Sequence, residues 1–175
     1  MRALDTSAEN HVVDIGGASG TIIAALLKVN PALRGTILER ADVVPRAEAE
    51  LTKLGLSSRC RAVAGDFFDS VPEADLYILK IILHDWDDQQ SVTILRNCAR
   101  AMRPNGRVVL VERLVPEHGD AGEAALSDLN MLVLLPGRER TTSEFAELFR
   151  AAGLKLDRIS ELTSSLTLIE ASSAA

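Results

Sequence analysis

The feature that most restricts this chain is a regular alternation: short apolar runs rich in β-branched residues, each followed by a stretch of helical periodicity. His11 to Ile15 (HVVDI) reads as a strand ended by glycines. Thr21 to Val29 reads as a helix with Ile22, Leu26 and Val29 on its apolar face, stopped by Asn30-Pro31. Gly35 to Glu39 is a second strand, Val44 to Leu54 a helix closed by Gly55, and Arg61 to Ala64 a third strand. Ala74 to Ile82 is apolar on both faces, the pattern of a central strand in a parallel sheet. A helix from Asp87 to Met102 follows, with Ile94 and Leu95 inward and Asp87 and Gln90 spaced for a capping box. After a turn at Arg103-Pro104-Asn105-Gly106 come a fifth strand, Arg107 to Leu114, and a helix from Ala121 to Leu135 broken by Pro136-Gly137. Thr141 or Thr142 caps a helix running to Ala152 and ended by Gly153. The last two strands, Leu154 to Ser160 and Ser165 to Ala171, have so short a connection that they should pair antiparallel. The expected fold is α/β: a doubly wound, mostly parallel seven-stranded sheet with an antiparallel last strand and right-handed crossovers.

Such sheets bind ligands beyond the carboxyl ends of their strands, near the point where strand order reverses. Composition narrows the ligand. The 175 residues, 47% hydrophobic and 25% charged, suit one globular domain rather than a disordered chain. A net charge of −6 without a basic patch argues against a nucleic-acid partner. The apolar runs are too short for a membrane span, and MRALDTSAENH lacks the apolar segment of a secretory signal. Cys60 and Cys98 are isolated and match no metal spacing, so they read as buried thiols of a cytoplasmic protein. With no His/Cys cluster, no protein-held metal is expected.

The residues after each strand carry the chemistry. Asp14-Ile15-Gly16-Gly17-Ala18-Ser19-Gly20 departs from the dinucleotide spacing G-x-G-x-x-G and places an acid ahead of its glycines. That acid can help hold an amino group; a bare tight turn is the simpler reading. Glu39, after the second strand, can accept both hydroxyls of a ribose or be a surface acid. Gly65-Asp66-Phe67 offers a carboxylate and an aromatic face to an adenine, or is a turn acid beside a core Phe. Leu83-His84-Asp85-Trp86-Asp87-Asp88 follows the fourth strand and places one of three histidines beside the single tryptophan.

These pieces together resemble the S-adenosylmethionine-dependent methyltransferases, and within them the small-molecule O-methyltransferases of caffeate, flavonoid and polyketide-tailoring type. The resemblance runs from Val12 to Glu170 and is carried by VDIGGASG, GDFF, LHDWDD, NCARAMRPNGRVVLVERLVP and PGRERTTSEFAELFRAAG. It implies a Rossmann-like methyltransferase fold. It implies that Gly16, Gly17 and Gly20 surround the methionine part of the cofactor with Asp14, and that Glu39 takes the ribose. Asp66 and Phe67 would hold the adenine, with Lys80 nearby. The family commonly has a third consecutive glycine where this chain has Ala18; at a positive φ, alanine costs on the order of 1 kcal/mol.

The resemblance makes His84 the general base. Methyl transfer to a phenol needs its proton removed, since a phenol ionises near ~10 and an imidazole near ~6.5 is suited to take it. Glu112 and Glu139 match the family's supporting acids. Glu112 could instead pair with Arg113 or another cation, and Glu139 could be an acid of a charged turn. Asp85 could orient His84 or bond nearby backbone; Trp86 reads as packing, and His11 and His118 as incidental. Asp128, Asn130, Met131 and Leu134 are expected to shape the pocket for a small-molecule hydroxyl acceptor.

Family members usually carry a further N-terminal helical region that forms the homodimer and closes the acceptor pocket. Here the glycine loop comes at residue 16, so residues 1–175 are expected to be the catalytic domain alone, with some apolar surface uncovered. Two functions follow: an O-methyltransferase acting on a phenolic or enolic hydroxyl, or a methyltransferase-like binding module without catalysis. A nicotinamide-dependent oxidoreductase is disfavoured by the glycine spacing and the late antiparallel pair.

Overall fold

The computed structural model describes residues 4–117, 137–163 and 165–174. Its strands are β1 (His11–Ile15), β2 (Arg34–Glu39), β3 (Cys60–Ala64), β4 (Ala74–Lys80), β5 (Met102–Glu112), β6 (Leu154–Thr163) and β7 (Leu166–Ser173). Between them lie α1 (Thr21–Val29), α2 (Val44–Lys53), a 3-10 turn at Leu83–Asp85, α3 (Asp88–Ala101) and α4 (Thr142–Ala151). The helix expected at 121–135 lies outside the described residues.

The strands form one sheet in the order β3-β2-β1-β4-β5-β7-β6. Neighbours from β3 to β5 are parallel, and β7 runs antiparallel to both β5 and β6. The order reverses between β1 and β4, so the loops after these two strands face a common crevice.

Strand alternation divides the core into two layers. Val12, Leu76, Ile78 and Val109 pack with Ile23 and Leu27 of α1 and Ala47 and Leu51 of α2. Val13, Tyr77, Leu79, Val108 and Leu110 pack with Ile94 and Leu95 of α3 and Phe145, Leu148 and Phe149 of α4. Asp87 caps α3 by accepting the Gln90 amide at 2.8 Å, and Gln90 returns a side-chain bond, the expected capping box. Thr141, rather than Thr142, caps α4 in the same way with Glu144.

Four features differ from the sequence reading beyond shifts of a residue or a few at element ends. Val29 is 76% exposed; α1 buries Ile23, Ala24, Leu26 and Leu27 instead. β4 stops at Lys80 because Ile81 takes φ 54, turning the chain out of the sheet. The turn at 103–106 is a bulge inside β5: Ala74 pairs with Met102 and Leu76 with Arg107, with Asn105 at φ 63. β5 ends at Glu112, and Leu114 makes only a lone bridge with Arg140.

Among the described residues, the large exposed apolar side chains are Val29, Leu54 and Ile159, on three separate parts of the surface sequence. No helix of the described residues is long and apolar enough to cross a membrane.

Candidate active site

The loop after β1 is shaped by backbone conformations that few side chains tolerate. Gly16 and Gly20 have φ 64 and 76, and Ala18 sits at φ 49, the strained position anticipated from its sequence. A Cβ on Gly17 would come 2.6 Å from the Asp14 carboxyl carbon, so glycine is what lets the loop lie over that acid. Asp14 is only 2% exposed, and its Oδ2 has no hydrogen-bond partner. Burial pushes its carboxyl up to about 7, against a backbone hydrogen bond from Ile23. The Ala18 amide donates to Glu39 Oε1 at 3.0 Å, and the Arg40 amide to Glu39 Oε2 at 2.9 Å. Glu39 therefore ties the first loop to the end of β2.

A cleft of about 730 Å³ opens beside these loops. Gly16, Glu39, Asp66 and Phe67 line it, as do Phe68, Ile82, Asp85 and Trp86. Asp66 accepts the Phe68 amide at 2.8 Å, fixing the turn after β3. The Phe68 and Trp86 rings meet edge-on, 4.8 Å between centroids and 89° between planes, and Phe67 and Phe68 meet at 5.0 Å. Trp86 thus packs, as expected, and its packing forms one wall of the cleft. Gly17, Gly20, Asp14 and Lys80 do not line the cleft. Asp14 lies beneath Gly17, Gly20 caps α1 against Ile37, and Lys80 is exposed at the end of β4.

His84 lies on the 3-10 turn that follows β4, 6% exposed, with both ring nitrogens against acids. Nδ1 is 3.3 Å from Glu139 Oε1, and Nε2 is 3.2 Å from Asp85 Oδ1. Asp85, the partner of Nε2, lines the cleft; His84, Glu112 and Glu139 do not. One ring nitrogen of His84 and one carboxylate oxygen each of Glu112 and Glu139 lie within 4.8 Å of one another. Burial lowers the proton affinity of His84, but the Glu139 hydrogen bond and the charges of Glu112, Asp85 and Glu139 outweigh it, and its pKa is raised. Glu112 is fully buried; its Oε1 accepts the amides of Ile82 at 3.1 Å and Leu83 at 2.9 Å. It holds the backbone of the turn rather than the Arg113 side chain considered from sequence. Burial pushes its carboxyl up to about 7, against the nearby His84 charge and those two amides. Glu139 is buried despite its charged neighbours in sequence, and Arg113 Nη1 also lies 3.9 Å from it.

His11, read as incidental, bonds Thr36 Oγ1 at 2.9 Å, far along β1 from these loops. His118 and the four residues expected to shape an acceptor pocket, Asp128, Asn130, Met131 and Leu134, lie outside the described residues. The sequence reading missed Phe68, whose signal was its place beside Phe67, and Arg140, whose signal was a second arginine in Arg138-Glu139-Arg140 beyond what a charged turn needs.

The chain matches the family model of the O-methyltransferase domain over residues 1–155. It belongs to that family. This O-methyltransferase-family chain is 43% identical over 170 residues to the phenazine O-methyltransferase PhzM of Lysobacter antibioticus, covering 97% of this chain and 50% of that protein. It is 40% identical over 171 residues to the aclacinomycin 10-hydroxylase RdmB of Streptomyces purpurascens, covering 95% and 45%. Among solved structures it superposes with a TM-score of 0.89 and 37% identity on the O-methyltransferase NcsB1 of neocarzinostatin biosynthesis, covering 97% and 51%. That structure is a complex with S-adenosyl-L-homocysteine and 1,4-dihydroxy-2-naphthoic acid. The chain spans about half the length of the relatives it matches.

Proposed function

We propose that this chain transfers the methyl group of S-adenosylmethionine to a hydroxyl, phenolic in class, of a small aromatic molecule, with His84 as general base. The observation that carries this reading is the placement of His84. Its imidazole is held between Glu139 and Asp85, and Asp85, with Ile82 and Trp86 of the same loop, lines the cleft shared by the residues that follow β1, β2 and β3.

The residues present fit the cofactor. The unpartnered, buried Oδ2 of Asp14 is an acceptor beneath the glycine loop, suited to an ammonium group above it. Glu39 retains lone pairs for the hydroxyls of a ribose, and the edge-packed Phe67, Phe68 and Trp86 form an apolar wall suited to an adenine. When bound, S-adenosylmethionine supplies an electrophilic methyl on a sulfonium leaving group. The protein's own part is orientation and proton removal. Glu139, accepting from Nδ1–H, fixes the tautomer that leaves Nε2 as the basic nitrogen. Nε2 takes the acceptor's proton when the acceptor hydroxyl displaces Asp85, about a third exposed, from that nitrogen. Glu139 and Glu112 then stabilise the imidazolium, and the Glu112–amide bonds keep the turn from relaxing toward them.

The test has two parts. Calorimetric titration of the chain with S-adenosylhomocysteine should show binding in the micromolar range or tighter; no heat at high micromolar ligand rejects the cofactor. Transfer of labelled methyl to 1,4-dihydroxy-2-naphthoic acid and a panel of phenols should fall by about 100-fold or more in His84→Gln, the scale of a lost general base, with cofactor affinity retained. Binding without transfer would favour the second reading, a methyltransferase-like binding module.

A further inference from the structure

Among the described residues, Arg140 is the bulkiest of the fully buried side chains, with 0% exposure. A buried guanidinium is costly unless its donors are satisfied. Those of Arg140 are spent on the loop that carries His84. Nη1 donates to Leu83 O at 2.9 Å, Nη2 to Trp86 O at 2.7 Å, and Nε to Asp88 Oδ1 at 2.9 Å. The carbonyls of Leu83 and Trp86 bracket His84 in sequence. Leu83 is gripped at both ends of its backbone, because its amide donates to Glu112. Arg140 is itself anchored: its carbonyl accepts the Val115 amide at 3.0 Å, and it bridges Leu114 beyond the end of β5.

Its neighbours press on the same loop. A Cβ on Gly137 would lie 1.9 Å from His84 O and 2.4 Å from the Asp85 carbonyl carbon, so the backbone at Gly137 lies flush against the backbone of the base. Glu139 meets the ring at Nδ1, and Arg138 reaches Asp88 at 2.8 Å. Backbone, ring and carbonyls are thus held by four consecutive residues, and a flexible lysine at 140 could not supply the same planar fork of donors.

We propose that Gly137–Arg140 is a clasp for the base loop, and that Arg140 is its hook: a positioning residue that fixes the His84 imidazole against Glu139. The catalytic consequence rests on His84 being the base; the geometric one does not.

The experiment uses the full chain labelled with ¹⁵N. Imidazole spectra recorded across pH resolve three histidines, and His84→Gln identifies the signals of residue 84. The groups facing that ring are Glu139, Glu112 and Asp85, with Arg113 beyond Glu139. In the parent chain His84 should carry its neutral-form proton on Nδ1 and titrate above the ordinary histidine value. In Arg140→Lys and Arg140→Met the neutral ring should become a mixture of tautomers, and its titration should move toward about 6.5. Turnover of 1,4-dihydroxy-2-naphthoic acid should fall by about 10- to 100-fold in kcat, more in the Met than in the Lys variant, with little change in KM for S-adenosylmethionine. Gly137→Ala keeps every charged group and should give the same spectral change; it carries the test if either Arg140 variant fails to fold. Folded variants in which His84 keeps its tautomer and titration would overturn the clasp. If instead the spectra change as expected but His84→Gln retains full turnover, the clasp stands and the assignment of the base fails.

Discussion

A histidine becomes a useful base when its surroundings choose its tautomer and set its proton affinity. At His84 burial opposes the charged ring, and three acids overcome that opposition. With His84 as the proposed base, the rate should rise with pH as the ring loses its proton, with an apparent pKa above the ordinary value of about 6.5. Glu139→Gln removes the hydrogen-bonded acid, so the acid limb of kcat/KM against pH should move to lower pH while the maximum rate drops. A limb that stays in place would mean that Glu139 does not face the working base. At this scale the sequence was informative about types and poor about contacts. His84, Glu112 and Glu139 could be singled out from their motifs, and the structure brings them together. That Glu112 reaches backbone amides, and that Glu139 is buried, depends on partners 30 and 55 residues away in sequence, and no local pattern encodes that.

Elements were more legible than contacts, because each is set by signals a few residues apart. The capping boxes at Asp87 and Thr141 follow from side chains three positions apart, and the glycine-rich loop from positions where φ is positive. The failures came where tertiary context prevailed: β4 is cut short at Ile81, and the 103–106 turn is absorbed as a bulge because β4 continues to pair on both sides of it. Ala18 is the one non-glycine of positive φ in the first loop, and its strain can be relieved. Ala18→Gly should stabilise the chain by about 1 kcal/mol, a rise of roughly 2–4 °C in Tm by circular dichroism. The same change should tighten S-adenosylhomocysteine if the strained loop is what receives it. An unchanged or lower Tm would mean that the lost Cβ packing outweighs the relief.

Across the molecule, the fold class followed from alternation alone, while the depth of burial of its charged groups did not. Asp14, Glu112 and His84 each bind protons more tightly folded than unfolded. For the two acids the folded state holds a proton that the unfolded chain has lost between about pH 4 and 7; for the imidazole this begins near about 6.5. All three make stability fall as pH rises. His11, lowered by burial, and Asp88, lowered by Arg138 and Arg140 against its burial, act in the opposite sense only at lower pH. Thermal unfolding should therefore show Tm falling from about pH 6.5 to 8, and Asp14→Asn should flatten that slope. A Tm that rises over this range would show that the buried acids have partners in solution.

The central claim is spatial: the trailing residues of four adjacent strands and one imidazole serve a single ligand. The most direct measurement is a crystal structure of the chain with S-adenosylhomocysteine. The expected density has the amino group over Asp14, the ribose on Glu39, the adenine against Phe67 and Trp86, and the sulfur directed toward Nε2 of His84. A ligand bound with its sulfur turned away from His84, or seated outside the cleft, would contradict it.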